Sequence, residues 1–402
     1  MNVKRAVWSA LLVLLASPVA NAFLWLVDDL EPGGVPGGID VGANNVVHMV
    51  GRANDVGMFH YSRPAEKGTW EREVLPDSDY DGSYADIAVD AVGNPHVSFQ
   101  RAYPYDGIYY RHFTGTAWDA RERVYDGEVK GTSLALDPVT GTPRIAIAHE
   151  IAYGHFDAVY LERDPISGTW GSTVVDTINV AHGYIYGPSL VMTEGGLPAM
   201  SFIKQDYGVG ELRYATFDGS AWSIVTLDTW GHGVYSWPTS AIALDDEGYP
   251  WVAYLASNSP ATRELRVAHW DGAQWLKEVV IPMSSDTFGW DLDAAFDPAG
   301  RFHIAHSQFY QQVQHAYWDG GAWQNEPIPG ALGRDNCLAF DHQGNAWQAF
   351  GGRSDAGTGV AHVVPEPGAS ALFVFSLIGL IRRQRRRRRI STKNAIDSAE
   401  GI

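Results

Sequence analysis

The sequence predicts an all-β protein, a seven-bladed β-propeller of four-stranded blades whose last blade is closed by the N-terminal strand. Three observations carry this. A segment reading apolar-x-apolar-Asp, two residues and Gly, in most copies followed by x-Pro and an apolar strand, begins at Ile87, Leu134, Leu190, Ile242, Ala294 and Leu338. Its spacing of 44 to 56 residues is that of propeller blades. Each unit continues to a turn ending in Trp, at Trp118, Trp170, Trp222, Trp275 and Trp323. The last unit, Asn336 to Val364, lacks that Trp, and Leu24-Trp25-Leu26-Val27 supplies one 45 residues before Trp70.

Taken in order, Ile39 to Trp70 aligns without gaps on Ile87 to Trp118 at an offset of 48, a worn first copy with Gly42 and Asn45 where later copies have Asp and Gly. Asp90, Asp137, Asp245, Asp297 and Asp341 fill the Asp position of the first turn, and Thr193 is the exception. Asp218-Gly219, Asp271-Gly272 and Asp319-Gly320 mark the second turn as a hairpin in which Gly takes positive φ. One unit reads as strands Ser240 to Leu244, Trp251 to Tyr254, Leu265 to Trp270 and Trp275 to Val280. With the N-terminal strand in the last blade the ring closes and no open edge remains. A six-bladed ring with a loose N-terminus, or an open β-sandwich array, is the alternative.

The ends of the chain carry a different message. Lys4 and Arg5, an apolar run from Ala6 to Ala16 and Ala20-Asn21-Ala22 form a secretory signal peptide over residues 1–22, with cleavage between Ala22 and Phe23. After the propeller at 23–364 comes a segment at 365–389. It opens with Pro365-Glu366-Pro367, continues through thirteen uncharged residues from Ala369 to Ile381 as a short apolar helix, and ends in seven arginines within Arg382 to Arg389. The arginines stop translocation and stay cytoplasmic. Thirteen helical residues reach only about 20 Å against a hydrocarbon core of about 30 Å, so the segment suits a transient anchor.

The order Pro-Glu-Pro, short apolar helix, arginine cluster resembles the PEP-CTERM sorting signal of Gram-negative bacteria that make extracellular polysaccharide. The resemblance implies an exosortase-type membrane protease as partner, acting at Pro365-Glu366-Pro367, and a final location at the cell surface or in the extracellular matrix. A tail at 390–402 follows the arginines, where the family signal usually ends. The repeats themselves resemble those of secreted bacterial β-propellers, a functionally mixed group.

The formal net charge of −18 becomes about −25 between the two terminal signals, which repels phosphate backbones and excludes nucleic acid as a partner. Cys337 is the only cysteine, so no intramolecular disulfide forms, and the 15 Trp, 19 Tyr and 15 Phe must supply the core.

Long loops on a rigid scaffold are where binding concentrates. In this repeat they are the blade-to-blade connections and the turns between second and third strands, which gather on one face. The connections hold His182, Tyr184 and Tyr186, then His232, Tyr235 and Trp237 at an offset of 50, then Trp290; the other loops add Tyr153 and Tyr207. Aromatic faces beside polar groups stack on sugar rings, which points to a glycan-binding face that prefers a neutral or cationic glycan. The same aromatics could instead pack between blades.

A second candidate is the run containing Asp77, Asp79, Asp81 and Asp86, where alternate carboxylates before a Gly-assisted turn suit calcium as cofactor. It also reads as a plain acidic loop, since Ala88 stands where a helix-loop-helix calcium site places Glu. His48, His96 and His303 share one repeat position and read as structural. The leading function is a non-catalytic binding propeller for exported polysaccharide. The alternatives are a propeller glycosidase or lyase, for which loop acids such as Glu150, Asp157, Asp206, Asp286 and Asp291 offer no recognised pairing, and a structural or adhesion protein.

Overall fold

The computed structural model describes residues 23–363 apart from 32, 54–55, 80, 102–106, 207, 232–238, 260–261, 285–290, 308–311 and 352–356. The signal peptide with Ala22, the sorting segment with Pro365, Glu366 and Pro367, its apolar helix and the tail lie outside the described residues. Seven antiparallel four-stranded sheets follow one another around a ring. Their first strands are Gly34–Val41, Asp81–Val89, Glu128–Leu136, Tyr184–Met192, Ser240–Leu244, Asp293–Phe296 and Arg334–Phe340, which number blades 1 to 7. No described helix is long and apolar enough to cross a membrane.

The turns form as their composition dictates. The Oδ1 atoms of Asp90, Asp245, Asp297 and Asp341 each accept the backbone N–H groups two and four residues ahead, which closes the turn while Gly93, Gly248, Gly300 and Gly344 take φ between 76° and 92°. Thr193, the exception in sequence, does part of the same work with its hydroxyl, which accepts from Leu197 N–H. In the worn copy Asn45 stands at the glycine position with φ 57°, as Asn tolerates.

The apolar core lies between blades. Val47, Met49 and Phe59 of blade 1 pack on Trp347, Ala349 and Val360 of blade 7, and Phe156 of blade 3 packs with Met200 and Phe202 of blade 4. The repeat Trp completes each seam by lying on an aromatic ring of the preceding blade: Trp118 on His60, Trp170 on Tyr110, Trp222 on Tyr160 and Trp275 on Tyr214, with centroids 5.0 to 5.5 Å apart.

Trp25 belongs to this series. Its strand, Trp25–Glu31, pairs antiparallel with Thr358–Val363 as the outer strand of blade 7. The Trp25 ring meets His315 of blade 6 at 5.0 Å, and its Nε1–H donates to Glu326 at 2.7 Å. The same clasp joins Trp70 to Asp28, Trp118 to Glu73 and Trp323 to Glu278. In every case the acceptor sits three residues after the Trp position of the previous blade. Where that residue is not an acid the clasp is missing: Arg121 occupies it ahead of Trp170, whose Nε1 is buried without an acceptor.

Candidate functional site

The first strands line a cavity of about 620 Å³ on the ring axis, with every blade contributing. Its lining comes from the entering ends of these strands, so the described blade-to-blade connections lie at its mouth. Its lining stops at a layer that fastens the blades together. There Asp86 Oδ2 accepts Leu134 N–H, Ser133 Oγ accepts Leu190 N–H, Ser189 Oγ accepts Ile242 N–H and Asp293 Oδ2 accepts Leu338 N–H. All four acceptors precede the first apolar residue of their repeat. Gly38 and Ala241 carry no acceptor at that position, and Asp40 and Thr239, each two residues away, take the role toward Val89 and Leu292.

Enclosure shapes the acidity of this layer. Burial pushes Asp86 up to about 7 and Asp40 and Asp293 up to about 6, against the opposing pull of the backbone N–H groups that each carboxylate accepts. Nearer the mouth, burial, and then the neighbouring Asp335 to which it is hydrogen-bonded, raise Asp291 well above the carboxylate range. Basic side chains interleave with these acids. Arg52 Nη1 donates to Ser83 Oγ at 2.7 Å. Lys130 Nζ bonds Glu128 and lies 3.1 Å from Glu150, and Arg334 Nε lies 3.3 Å from Asp335. The lining thus sets polar groups of both charges among apolar ones, able to donate to and accept from hydroxyl groups.

The aromatic residues expected on this face do converge, as far as they are described. Tyr184 and Tyr186 alternate on one strand and so project from one face, with rings stacked 5.3 Å apart at 15°. Tyr184 also meets Phe156 and Tyr153. Tyr153, 65% exposed, stands edge-on to His182 at 5.2 Å and is hydrogen-bonded to its Nδ1. His182 holds φ 63°, a left-handed backbone that His adopts more readily than most residues. A file of rings therefore runs from Tyr153 at the rim through His182 and Tyr184 to Tyr186, which lines the cavity. Tyr207, His232, Tyr235, Trp237 and Trp290 lie outside the described residues.

The acidic run divides between different tasks. Asp77 and Asp79 are exposed. Asp81 is fully buried in blade 2, with Arg101 at 3.0 Å and Arg121 at 3.2 Å, and Asp86 sits in the inter-blade layer. Among the described residues no three His, Cys, Asp or Glu side chains are placed to share a metal ion. Of the loop acids, Asp157 accepts the Thr177 hydroxyl and Asp206 caps a turn through Gly208 and Val209 N–H, while Glu150 and Asp291 face the cavity region. His48 and His303 hydrogen-bond the facing His60 and His315 inside their blades.

Sequence reasoning missed Tyr84, Arg52, Lys130 and Arg334 as lining residues. The signal for Tyr84 and Lys130 was present: both stand two or three residues ahead of the layer position of the repeat.

The sequence matches no protein-family model and no curated protein. Solved structures are similar in fold. The BP39L lectin of Burkholderia pseudomallei superposes with a TM-score of 0.61 at 11% identity, over 84% of this chain and 97% of the lectin. An ulvan-degrading polysaccharide lyase gives 0.54 at 12% identity over 84% and 96%. The α-L-arabinanase of Penicillium chrysogenum gives 0.53 at 13% identity over 71% and 93%.

Proposed function

We propose that the protein is an exported, non-catalytic glycan-binding propeller. The observation that carries this reading is the aromatic file Tyr153, His182, Tyr184, Tyr186, which leads from an exposed rim into the axial cavity of about 620 Å³. That volume falls in the range of about 300–1,000 Å³ usual for small-molecule sites. Stacking rings beside hydroxyl-matching groups are what a sugar chain needs. The similar folds of a lectin, a polysaccharide lyase and an arabinanase lend support, because this scaffold accommodates glycans.

Asp291 and Asp335, neighbours in the cavity wall, stand too close to act as a glycosidase pair. Two glycosidase carboxyls stand about 5–9.5 Å apart with the scissile bond between them, whereas these two are hydrogen-bonded to each other. Export and sorting belong to the same proposal, supported by the N-terminal signal and by Pro365-Glu366-Pro367 with its arginine cluster. On this reading the propeller ends at the surface or in the matrix of a Gram-negative bacterium after exosortase processing. Intact mass of protein from the native host tests this, and a mature species retaining Arg382 to Arg389 would count against it.

Glycan binding is tested by retention on polysaccharide affinity gels. Tyr153→Ala removes an exposed ring without touching the core, and it should weaken retention while leaving the thermal midpoint in place. Retention equal to the parent's would remove the file from the binding site.

A further inference from the structure

Among the described residues that line the cavity, Tyr84 and Asp335 both take positive φ, and Tyr84 is the bulky one, which that backbone suits poorly. It lies at φ 47° in the first strand of blade 2, within the register shift between Ser83 and Asp86. A bulky residue in the left-handed region is uncommon and destabilising, and such outliers gather at functional sites. Tyr84 is 41% exposed and lines the axial cavity. The neighbouring blade offers Gly131 and Lys130, and the next offers Tyr186. Two tyrosines therefore flank a slot lined by Gly131, the Pro188 ring beside it and Lys130, whose ammonium group is held by Glu128 and Glu150.

The cavity is walled on all sides by the seven first strands, so a polymer cannot lie across it. Toward the far face its lining ends at the layer of Asp86, Ser133, Ser189 and Asp293, and a separate cavity of about 320 Å³ begins at Ala135, Leu190 and Ala243. A chain can therefore enter only by its end. Arg52, Lys130 and Arg334 stand among Asp86, Asp291, Asp293 and Asp335, a balance that suits hydroxyl groups better than a carboxylate or an amine.

Resting on the glycan-binding reading above, we propose that the axial cavity receives the terminal residue of a neutral glycan, with Tyr84 and Tyr186 as its aromatic walls and the Tyr153 to Tyr184 file carrying the residues that follow. Recognition is then of chain ends. The left-handed backbone at Tyr84 holds its ring in the slot.

The test uses the full chain on gels of neutral polysaccharides: a glucan, a mannan and a galactan. The polymer that retains the protein is then compared, as soluble competitor, with an equal mass of the same polymer partly hydrolysed by acid. End recognition predicts that potency per mass rises in proportion to the number of chain ends. Potency unchanged or lower after hydrolysis overturns the proposal.

Independently, Tyr84→Gly should raise the thermal midpoint, since Gly suits that backbone, and weaken binding about tenfold, the order expected for one lost ring. Tyr84→Phe should keep the binding. A Tyr84→Gly protein that binds as the parent does, or that melts lower with binding intact, shows that Tyr84 is merely structural. If the parent is retained on none of the gels, the glycan reading itself falls. If the parent is retained and only the Tyr84 and chain-end results fail, end recognition falls alone.

Discussion

Replacing Trp25 by Ala tests whether the N-terminal strand closes the ring. Trp25 is 7% exposed, and truncating a core Trp removes about 3–5 kcal/mol by lost burial and the cavity left behind. The bond to Glu326 adds little to this, because Glu326 is only half-buried and water replaces the indole. The loss is therefore about 3–4 kcal/mol, against a total stability of about 5–15 kcal/mol for a folded domain. At roughly 2 °C per kcal/mol for a long chain, the midpoint should fall by about 6–8 °C with the protein still folded.

Deleting Phe23 to Leu30 goes further. It also removes Asp28, which accepts from Arg63 at 2.7 Å and from Trp70 at 3.0 Å, and bares the edge of Thr358–Val363. Arg63 of blade 1 loses its partner, worth about 1 kcal/mol because Asp28 is partly exposed to water, in addition to a whole strand ladder. The deletion product should be insoluble. Scanning calorimetry of Trp25→Ala beside the parent decides the matter, and a midpoint within about 1 °C of the parent's, well under the expected fall, would refute the reasoning that Trp25 is the seventh blade's seam residue.

Three further outcomes follow from the geometry. Asp86→Ser should become more favourable relative to the parent as pH rises. Asp86 titrates near 7 in the fold, so the native parent carries an extra proton between about pH 4 and 7, and that stability is present below the window and lost through it. Serine, which does the same job at Ser133 and Ser189, carries no charge; the swing is at most about 4 kcal/mol, less where cavity water screens the carboxylate, and a difference independent of pH in denaturant titrations from pH 4 to 8 counts against it. Thr173→Glu places an acid three residues after Trp170 and should give Trp222 the missing clasp, a gain of about 0.5–1.5 kcal/mol readable as a higher midpoint. Calcium bound at the acidic run would have to rest on Asp77 and Asp79, since Asp81 and Asp86 are engaged elsewhere; Asp77→Asn with Asp79→Asn should then abolish any rise in midpoint that calcium produces and EDTA reverses.

Much of the scaffold was legible because its determinants are local. An Asp that caps its own turn, a Gly that must take positive φ and a Trp ending each hairpin all act within a few residues, and repetition makes them visible. Even closure by the N-terminal strand was readable, since Trp25 is a misplaced copy of a periodic residue. The acid three residues after Trp was equally available as a pattern, but its meaning lies in the next blade.

The cavity obeys a different rule. Its walls come from positions as far apart as Val35 and Cys337, and the contacts that matter, Trp25 with Glu326 or Asp291 with Asp335, join residues that only the sevenfold ring brings together. Asp77 to Asp86 shows the limit most clearly. As a string it reads as one acidic loop, yet the register shifts of blade 2 send Asp81 to two arginines, Tyr84 into the cavity and Asp86 to a neighbouring strand. The sequence alone determined the blade, its turns and their number, because those depend on short-range backbone chemistry. Which side chains face the axis, and with what charge and acidity, was decided only by the tertiary structure, because convergence and burial are properties of the closed ring.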